Sequence, residues 1–329
     1  MEREKSRGQA KGRGRKRGSR ESPKQPEAAA KPLLLTSGLL RRWPLPQPDE
    51  GGSKEERGRV LVVGGAPEMP GAVILSATAA LRAGAGKLRI ATCGSIAQLI
   101  AVEIPEARVF ALGETEAGAI ASSAAARVVE WTRETQSLLI GPGMVEEEAI
   151  RPLLEAILQG ISETTIVIDA IPLKCLAGNR ECLRSLGGRV ILTPHAREMA
   201  EMLGTSEEEV RRNPLKTALD AATELGAVIA LKGRETFIVA PDGTAYVNRA
   251  GNVGLATSGS GDTLSGIIAG LAARGAGPLQ AAAWGVYLHA SAGDQLARRM
   301  GRLGFLAREL LAEIPALMSK LSDERKGRK

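Results

Sequence analysis

Residues 59–92, RVLVVGGAPEMPGAVILSATAALRAGAGKLRIAT, set the strongest limit on the fold. Val60 to Val63 is a short continuous apolar run, the pattern of a strand buried on both faces. Gly64 to Gly71 follows as a loop, Ala72 to Ala83 as an apolar helix, and Lys87 to Ala91 as a second strand. A strand, a crossover helix and another strand make a βαβ unit, which requires a parallel sheet with helices packed on its faces. The loop has neither the G-x-G-x-x-G nor the G-x-x-x-x-G-K-[ST] spacing, so neither a dinucleotide-binding turn nor a Walker A loop is indicated.

The alternation continues along the chain. Strands are expected at Val109–Leu112, Leu138–Ile140, Thr165–Asp169, Arg189–Leu192 and Val228–Leu231, with helical patterns between them. A hairpin, Thr236–Ala240 and Thr244–Val247, turns at Pro241-Asp242-Gly243. The remainder reads as helices at Asp262–Arg274, Pro278–Arg299 and Leu303–Leu317. The fold class is therefore α/β, with a mostly parallel central sheet between helical layers.

Several strands stop at chemically useful residues. Ile140 runs into Gly141-Pro142-Gly143, Ile168 into Asp169, Leu192 into Thr193-Pro194-His195, and Leu231 into Lys232-Gly233. Ligands of open parallel sheets bind beyond the carboxyl ends of the strands, so these loops are expected to share one rim. The stretch GNVGLATSGSGDTLSGIIAG, Gly251 to Gly270, joins them. Gly259 and Gly261 let the backbone approach a ligand closely, and the helix that follows offers free amides and a dipole favouring an anion. Asp262 could cap that helix, or it could be a base placed beside a phosphate site. The clustering on one rim favours the base.

Composition narrows the alternatives. Aromatic residues make up only 2% of the 329 residues, which suits poorly a protein that stacks bases of single-stranded nucleic acid. The formal charge of +7 is concentrated in residues 1–24, where ten basic residues face three acidic ones; the rest holds thirty-four of each sign. Residues 1–32 lack the large apolar side chains needed to fold and read as a disordered basic tail. The 321–329 segment reads as a short basic C-terminal tail, with the domain between at 33–320. Within Leu33 to Pro48, the prolines of LLRRWPLPQP favour an extended path, with Trp43 pinned to the domain surface. No apolar run reaches the roughly 18–20 residues of a membrane span, and no apolar region follows the N-terminal charges as in a secretory signal. Cys93, Cys175 and Cys182 lack metal or disulfide spacing, which fits a reducing cytoplasm.

Taken in order, five segments resemble the ADP-dependent NAD(P)H-hydrate dehydratases, a branch of the ribokinase-like superfamily. They are LRRWPLP from Leu40, VLVVGGAPEMPGAVILSATAALRAGAG, LLIGPGM, TPHAREMAEMLG, and LKGRET followed by GNVGLATSGSGDTLSGIIAG. The likeness runs from about Leu39 to Leu317 and implies a ribokinase-like three-layer α/β/α fold. It also implies that the hydrated cofactor NADHX or NADPHX lies against Ala72, Gly143 and His195 with Asp262 beside its hydroxyl. ADP, as co-substrate with Mg²⁺, would be held by Lys232, Gly233, Arg234, Glu235 and Thr236 and by Gly259, Ser260 and Gly261. Metal ligands stay unassigned. A homo-oligomer, frequently a tetramer, and a separate epimerase partner are further implications.

Bland roles remain open at several of these positions. His195 can be a satisfied loop histidine, Lys232 a solvated strand-end lysine, and Asp169 a cap of the next segment. His289, inside the apolar GVYLHASAG helix, is expected to be structural. The chain departs from the family pattern at Ile171, where a second Asp is usual, and at Val145, where the GPGLG turn has Gly. The usual GGTGD loop is here Ser258-Gly259-Ser260-Gly261-Asp262. Two rivals are a ribokinase-like small-alcohol kinase using the same loop and base, and a non-catalytic nucleotide-binding protein docking on nucleic acid through its tail.

Overall fold

The computed structural model describes residues 31–49, 51, 53–177 and 180–323. Ten strands form one sheet: β1 (Leu33–Leu34), β2 (Arg59–Val63), β3 (Lys87–Cys93), β4 (Ala107–Leu112), β5 (Ser137–Ile140), β6 (Thr165–Ile168), β7 (Val190–Leu192), β8 (Val228–Leu231), β9 (Thr236–Val239) and β10 (Ala245–Asn248). Their order is β1-β10-β9-β8-β7-β6-β5-β2-β3-β4. The pairings from β8 across to β4 are all parallel, β9 runs against both neighbours, and β1 pairs parallel with β10.

Val60–Val63, Leu138, Leu139 and Ile166–Ile168 are completely buried. Side chains point alternately to opposite faces of a strand, so complete burial requires covering layers on both sides. Helices supply them, giving the three-layer α/β/α arrangement expected from the sequence. All nine expected strands are present. The chain reverses direction of growth between β2 and β5, because β3 and β4 extend one side of β2 while β5 to β8 extend the other. That reversal creates the crevice in which ligands of such sheets bind.

The helix Ser260–Ala273 is almost wholly buried against the helix Pro70–Arg82. Gly266 and Gly270 make this possible. A Cβ on Gly266 would stand 2.1 Å from the Ser76 carbonyl oxygen, and one on Gly270 2.4 Å from that of Ala80. The two helix backbones therefore touch, which brings the start of the Ser260 helix down onto the strand ends.

The leader differs from its expectation. Ser37–Arg42 is a helix, not an extended path, because Thr36 caps it by accepting from Leu39 N at 3.1 Å. The extended course begins only at Trp43. Its indole stacks on Tyr246 with centroids 5.6 Å apart. Its carbonyl accepts from Trp284 Nε1 at 2.9 Å, while Gln280 Nε2 reaches the Pro44 carbonyl at 3.0 Å. Trp43→Ala is expected to cost about 2 kcal/mol, less than for a fully buried tryptophan because Trp43 is half-exposed; a urea midpoint measures it. The last helix, Ala307–Asp323, runs past the expected boundary at Leu317. The basic tail, through residue 30, and residues 324–329 lie outside the described residues. No described helix is long and apolar enough to cross a membrane.

Candidate functional site

The carboxyl ends of β2, β5, β6, β7 and β8 meet along one rim. Gly65 N donates to the Pro142 carbonyl at 2.8 Å, joining the β2 and β5 loops. Asp169 N donates to the Ile140 carbonyl at 3.1 Å, and Thr193 N to the Ile168 carbonyl at 3.2 Å. Lys232 N donates to the Pro194 carbonyl at 2.8 Å, so β7 and β8 continue pairing one step beyond their regular ends. Gly141 takes φ 131, and a Cβ there would fall 1.9 Å from the Asp169 carbonyl oxygen. Only glycine allows that approach.

Ala72 and Gly143 come together at the reversal point. A Cβ on Gly143 would stand 3.0 Å from that of Ala72 and 2.6 Å from the Met69 carbonyl oxygen. At the other end of the rim lies a cavity of about 1020 Å³. His195, Lys232, Gly233, Arg234, Thr236, Ser260 and Gly261 line it, whereas Ala72 and Gly143 do not. Glu235 turns away from it and pairs with Arg249 at 2.7 Å. The residues expected to bind the hydrated cofactor are thus divided: Ala72 and Gly143 lie at the reversal point, His195 lines the cavity, and Asp262 follows the lining residue Gly261 without lining the cavity itself.

The Ser260 helix starts two residues before the expected position. Gly259, at φ 84, is its N-cap and makes no side-chain cap. Asp262 therefore sits at the third helical position and is not the cap. Its carboxyl is pushed up to about 6, first by burial and next by the charge of Asp169, against the opposing pull of Lys232. A raised carboxyl next to uncapped helix amides is an arrangement suited to a general base beside an anion.

Below Gly261 lies a charged cluster. A Cβ on Gly261 would be 3.6 Å from Lys232 Nζ and 3.9 Å from Asp169 Oδ2. Lys232 Nζ donates to Asp169 Oδ1 at 3.0 Å and lies 3.6 Å from Glu198 Oε2. Asp169 and Glu198 are both buried. The solvated strand-end role is thereby excluded for Lys232. His195 is the N-cap of the helix Ala196–Leu203: its Nδ1 accepts from Glu198 N at 3.2 Å, and its own N donates to Glu198 Oε2 at 2.7 Å. His195 also lines the cavity, with its Nε2 3.5 Å from Glu198 Oε1.

Two contributors escaped the sequence reading. His289 is not merely structural: its Nε2 lies 3.0 Å from Ser260 Oγ, and both line the cavity. Burial drives it down to about 4, so the imidazole is neutral near pH 7. Asp294, from the same helix Pro278–Met300, accepts from Gly251 N at 2.9 Å and Asn252 Nδ2 at 3.0 Å, fixing the far wall. Glycine spacing pointed to the loop, but nothing in the sequence pairs these distant helical positions with it.

Residues 60–316 match the family described as NAD(P)H-hydrate dehydratase. The chain is 46% identical to the ADP-dependent (S)-NAD(P)H-hydrate dehydratase of Xanthomonas campestris over 288 residues, covering 87% of this chain and 96% of that one. It is similar in structure to the ADP/ATP-dependent NAD(P)H-hydrate dehydratase of Bacillus subtilis co-crystallised with ATP and Mg²⁺: TM-score 0.74, 30% identity, 89% of this chain and 100% of that one. A ribokinase-like superfamily protein from Enterococcus faecalis matches with TM-score 0.75 and 26% identity over 88% of this chain and 96% of that one.

Proposed function

The chain belongs to the NAD(P)H-hydrate dehydratase family, and we propose that it performs the ADP-dependent dehydration of (S)-NADHX or (S)-NADPHX to NADH or NADPH, releasing AMP and phosphate. The observation that supports this reading is the position of Asp262, third in the Ser260 helix and beside a helix start that no side chain caps, with burial raising its carboxyl.

The chemistry addresses a poor leaving group. The hydroxyl oxygen of the hydrated ring attacks the terminal phosphorus of ADP, its proton passes to Asp262, and the phosphorus–oxygen bond to AMP breaks. Phosphate then departs from the ring carbon as the neighbouring carbon loses a proton, which restores the dihydropyridine. Main-chain amides at Gly259 to Gly261 oppose the charge on the transferring group. Ala72, Gly143 and His195 hold the hydrated cofactor, and Gly233, Arg234 and Thr236 face the nucleotide.

Among the described residues, no group of three or more His, Cys, Asp or Glu side chains could hold a metal ion. A magnesium ion accompanying ADP would rely on the phosphate oxygens. Specificity for the S form would leave the R form to an epimerase.

The test is to incubate the purified full chain with ADP and (S)-NADHX while following NADH absorbance and AMP. Restored NADH with matching AMP is expected. A ribokinase-like alcohol kinase would leave the hydrate untouched, and that result would overturn the reading. Because the base must be ionised, the rate should rise with pH through about 6 and level off above it; a profile flat down to pH 4 removes Asp262 from the role.

A further inference from the structure

The resemblance gives Lys232 to the nucleotide, yet its ammonium is already engaged. It donates to Asp169 Oδ1 at 3.0 Å, stands 3.6 Å from Glu198 Oε2, and has only 20% of its side chain exposed. Asp169 arrives from the end of β6, Glu198 from the helix Ala196–Leu203, and Lys232 from the end of β8. Lys232 and Asp169 meet beneath Gly261, one residue before Asp262, and Glu198 reaches the same ammonium from the side.

We infer that Lys232 is a positioning residue for Asp262: set among Asp169, Glu198 and Asp262, its ammonium holds the base in its ionised form and leaves the nucleotide to Gly233 through Thr236. The inference rests on the reading of Asp262 as the base.

Charge balance supports it. Asp169 and Glu198 are buried and Asp262 is half-buried beside them, so their three carboxylates repel one another, and removing the ammonium would leave that repulsion uncompensated. Burial works to lower the Lys232 ammonium, but the charges of Asp169, Glu198 and Asp262 outweigh burial and raise it, so it stays protonated. The remaining ionisable groups do not replace it. His289 faces Ser260 from the helix Pro278–Met300 and is neutral near pH 7. His195 faces Glu198, with Nε2 3.5 Å from Glu198 Oε1. The cluster also ties Lys232 to the His195 cap, because the Glu198 oxygen nearest Lys232 is the one that accepts from His195 N.

Two substitutions should move Asp262 in opposite directions. Lys232→Met removes the positive charge and should raise its titration midpoint by one pH unit or more. Glu198→Gln removes a negative charge while keeping an acceptor for the His195 amide, and should lower the midpoint. Difference infrared spectroscopy of the carboxyl band, each protein against its Asp262→Asn counterpart, reads both shifts without any turnover. In the assay, Lys232→Met should lose at least tenfold in kcat at pH 7, recover part of it by pH 9, and keep the KM for ADP within about threefold. Lys232→Arg should restore the wild-type acid limb. An unmoved midpoint in both variants, or a tenfold rise in the KM for ADP with kcat kept, would overturn the inference and return Lys232 to the phosphates. If the midpoints shift as expected while the wild type restores no NADH, the electrostatic inference stands and the dehydratase reading falls.

Discussion

Asp262→Asn should lower kcat by about a thousandfold, within the range spanned by loss of a positioned general base, while the protein binds ADP more tightly. The amide keeps the size of the side chain but cannot accept the hydroxyl proton. It also removes a negative charge that lies close to where the diphosphate would sit, so the Kd for ADP, measured by calorimetry, should fall severalfold. Stability should move the other way from activity. The folded chain holds a proton on Asp262 more tightly than the unfolded chain, since the carboxyl is raised to about 6 from its ordinary value near 3.8. The destabilisation from its charge is therefore present above about pH 6 and gone below about pH 4. The Asn variant should gain thermal stability at pH 7 and gain none at pH 4. Near-normal turnover in this variant would falsify the assignment of the base.

The second large effect is expected at Gly266. Gly266→Ala places a methyl 2.1 Å from the Ser76 carbonyl oxygen, and backbone cannot swing aside as a flexible side chain can. The better helix propensity of alanine offsets only about 1 kcal/mol, so a net loss of about 2–3 kcal/mol is expected from overpacking. For a domain of this size that lowers Tm by roughly 3–5 °C. Activity should fall as well, because the helix that carries Asp262 is pushed off the strand ends. Gly71→Ala is the contrast. No atom lies within 4 Å of a Cβ there, and the position is helical, so Tm should hold or rise slightly. Equal losses in the two variants would show that helix contact at Gly266 is not the cause.

The sequence disclosed the scaffold well because its signals are local. Val60–Val63 and Leu138–Ile140 are apolar runs of strand length ended by glycine, and such runs fix a strand wherever they fall. The rim could be foreseen for the same reason: Asp169 and Lys232 follow a strand directly, and His195 follows one after Thr193 and Pro194. Parallel strands place their ends on one side, so adjacency in space came from topology alone. The leader helix at Ser37–Arg42 was hidden by the prolines beyond it, which govern only the residues after Arg42. Gly259 was read as a ligand-approach residue, while its place as the N-cap depended on where the helix would start, and helix ends are the least local part of the pattern.

What the sequence could not disclose was partnership across long separations. Lys232 and Asp169 are 63 residues apart, and Ser260 and His289 are 29 apart. Each looks ordinary in its own window. His289 in particular sits in a helix of small apolar residues, and only the packing of that helix against the Ser260 helix gives its imidazole a hydroxyl to hold. The glycine stripe at 266 and 270 was visible as residues but not as contact, since its meaning lies in the other helix.

The long helix Pro278–Met300 touches the cavity at two heights. His289 holds Ser260 on one side, and five residues on, Asp294 clasps Gly251 and Asn252 on the other. A helix rises about 1.5 Å per residue and resists stretching, so these two grips are a fixed span apart. The helix is in effect a gauge: the two parts of the cavity wall that it grips keep their separation whatever the loops between them do, and widening the cavity would require breaking one grip or bending the rod.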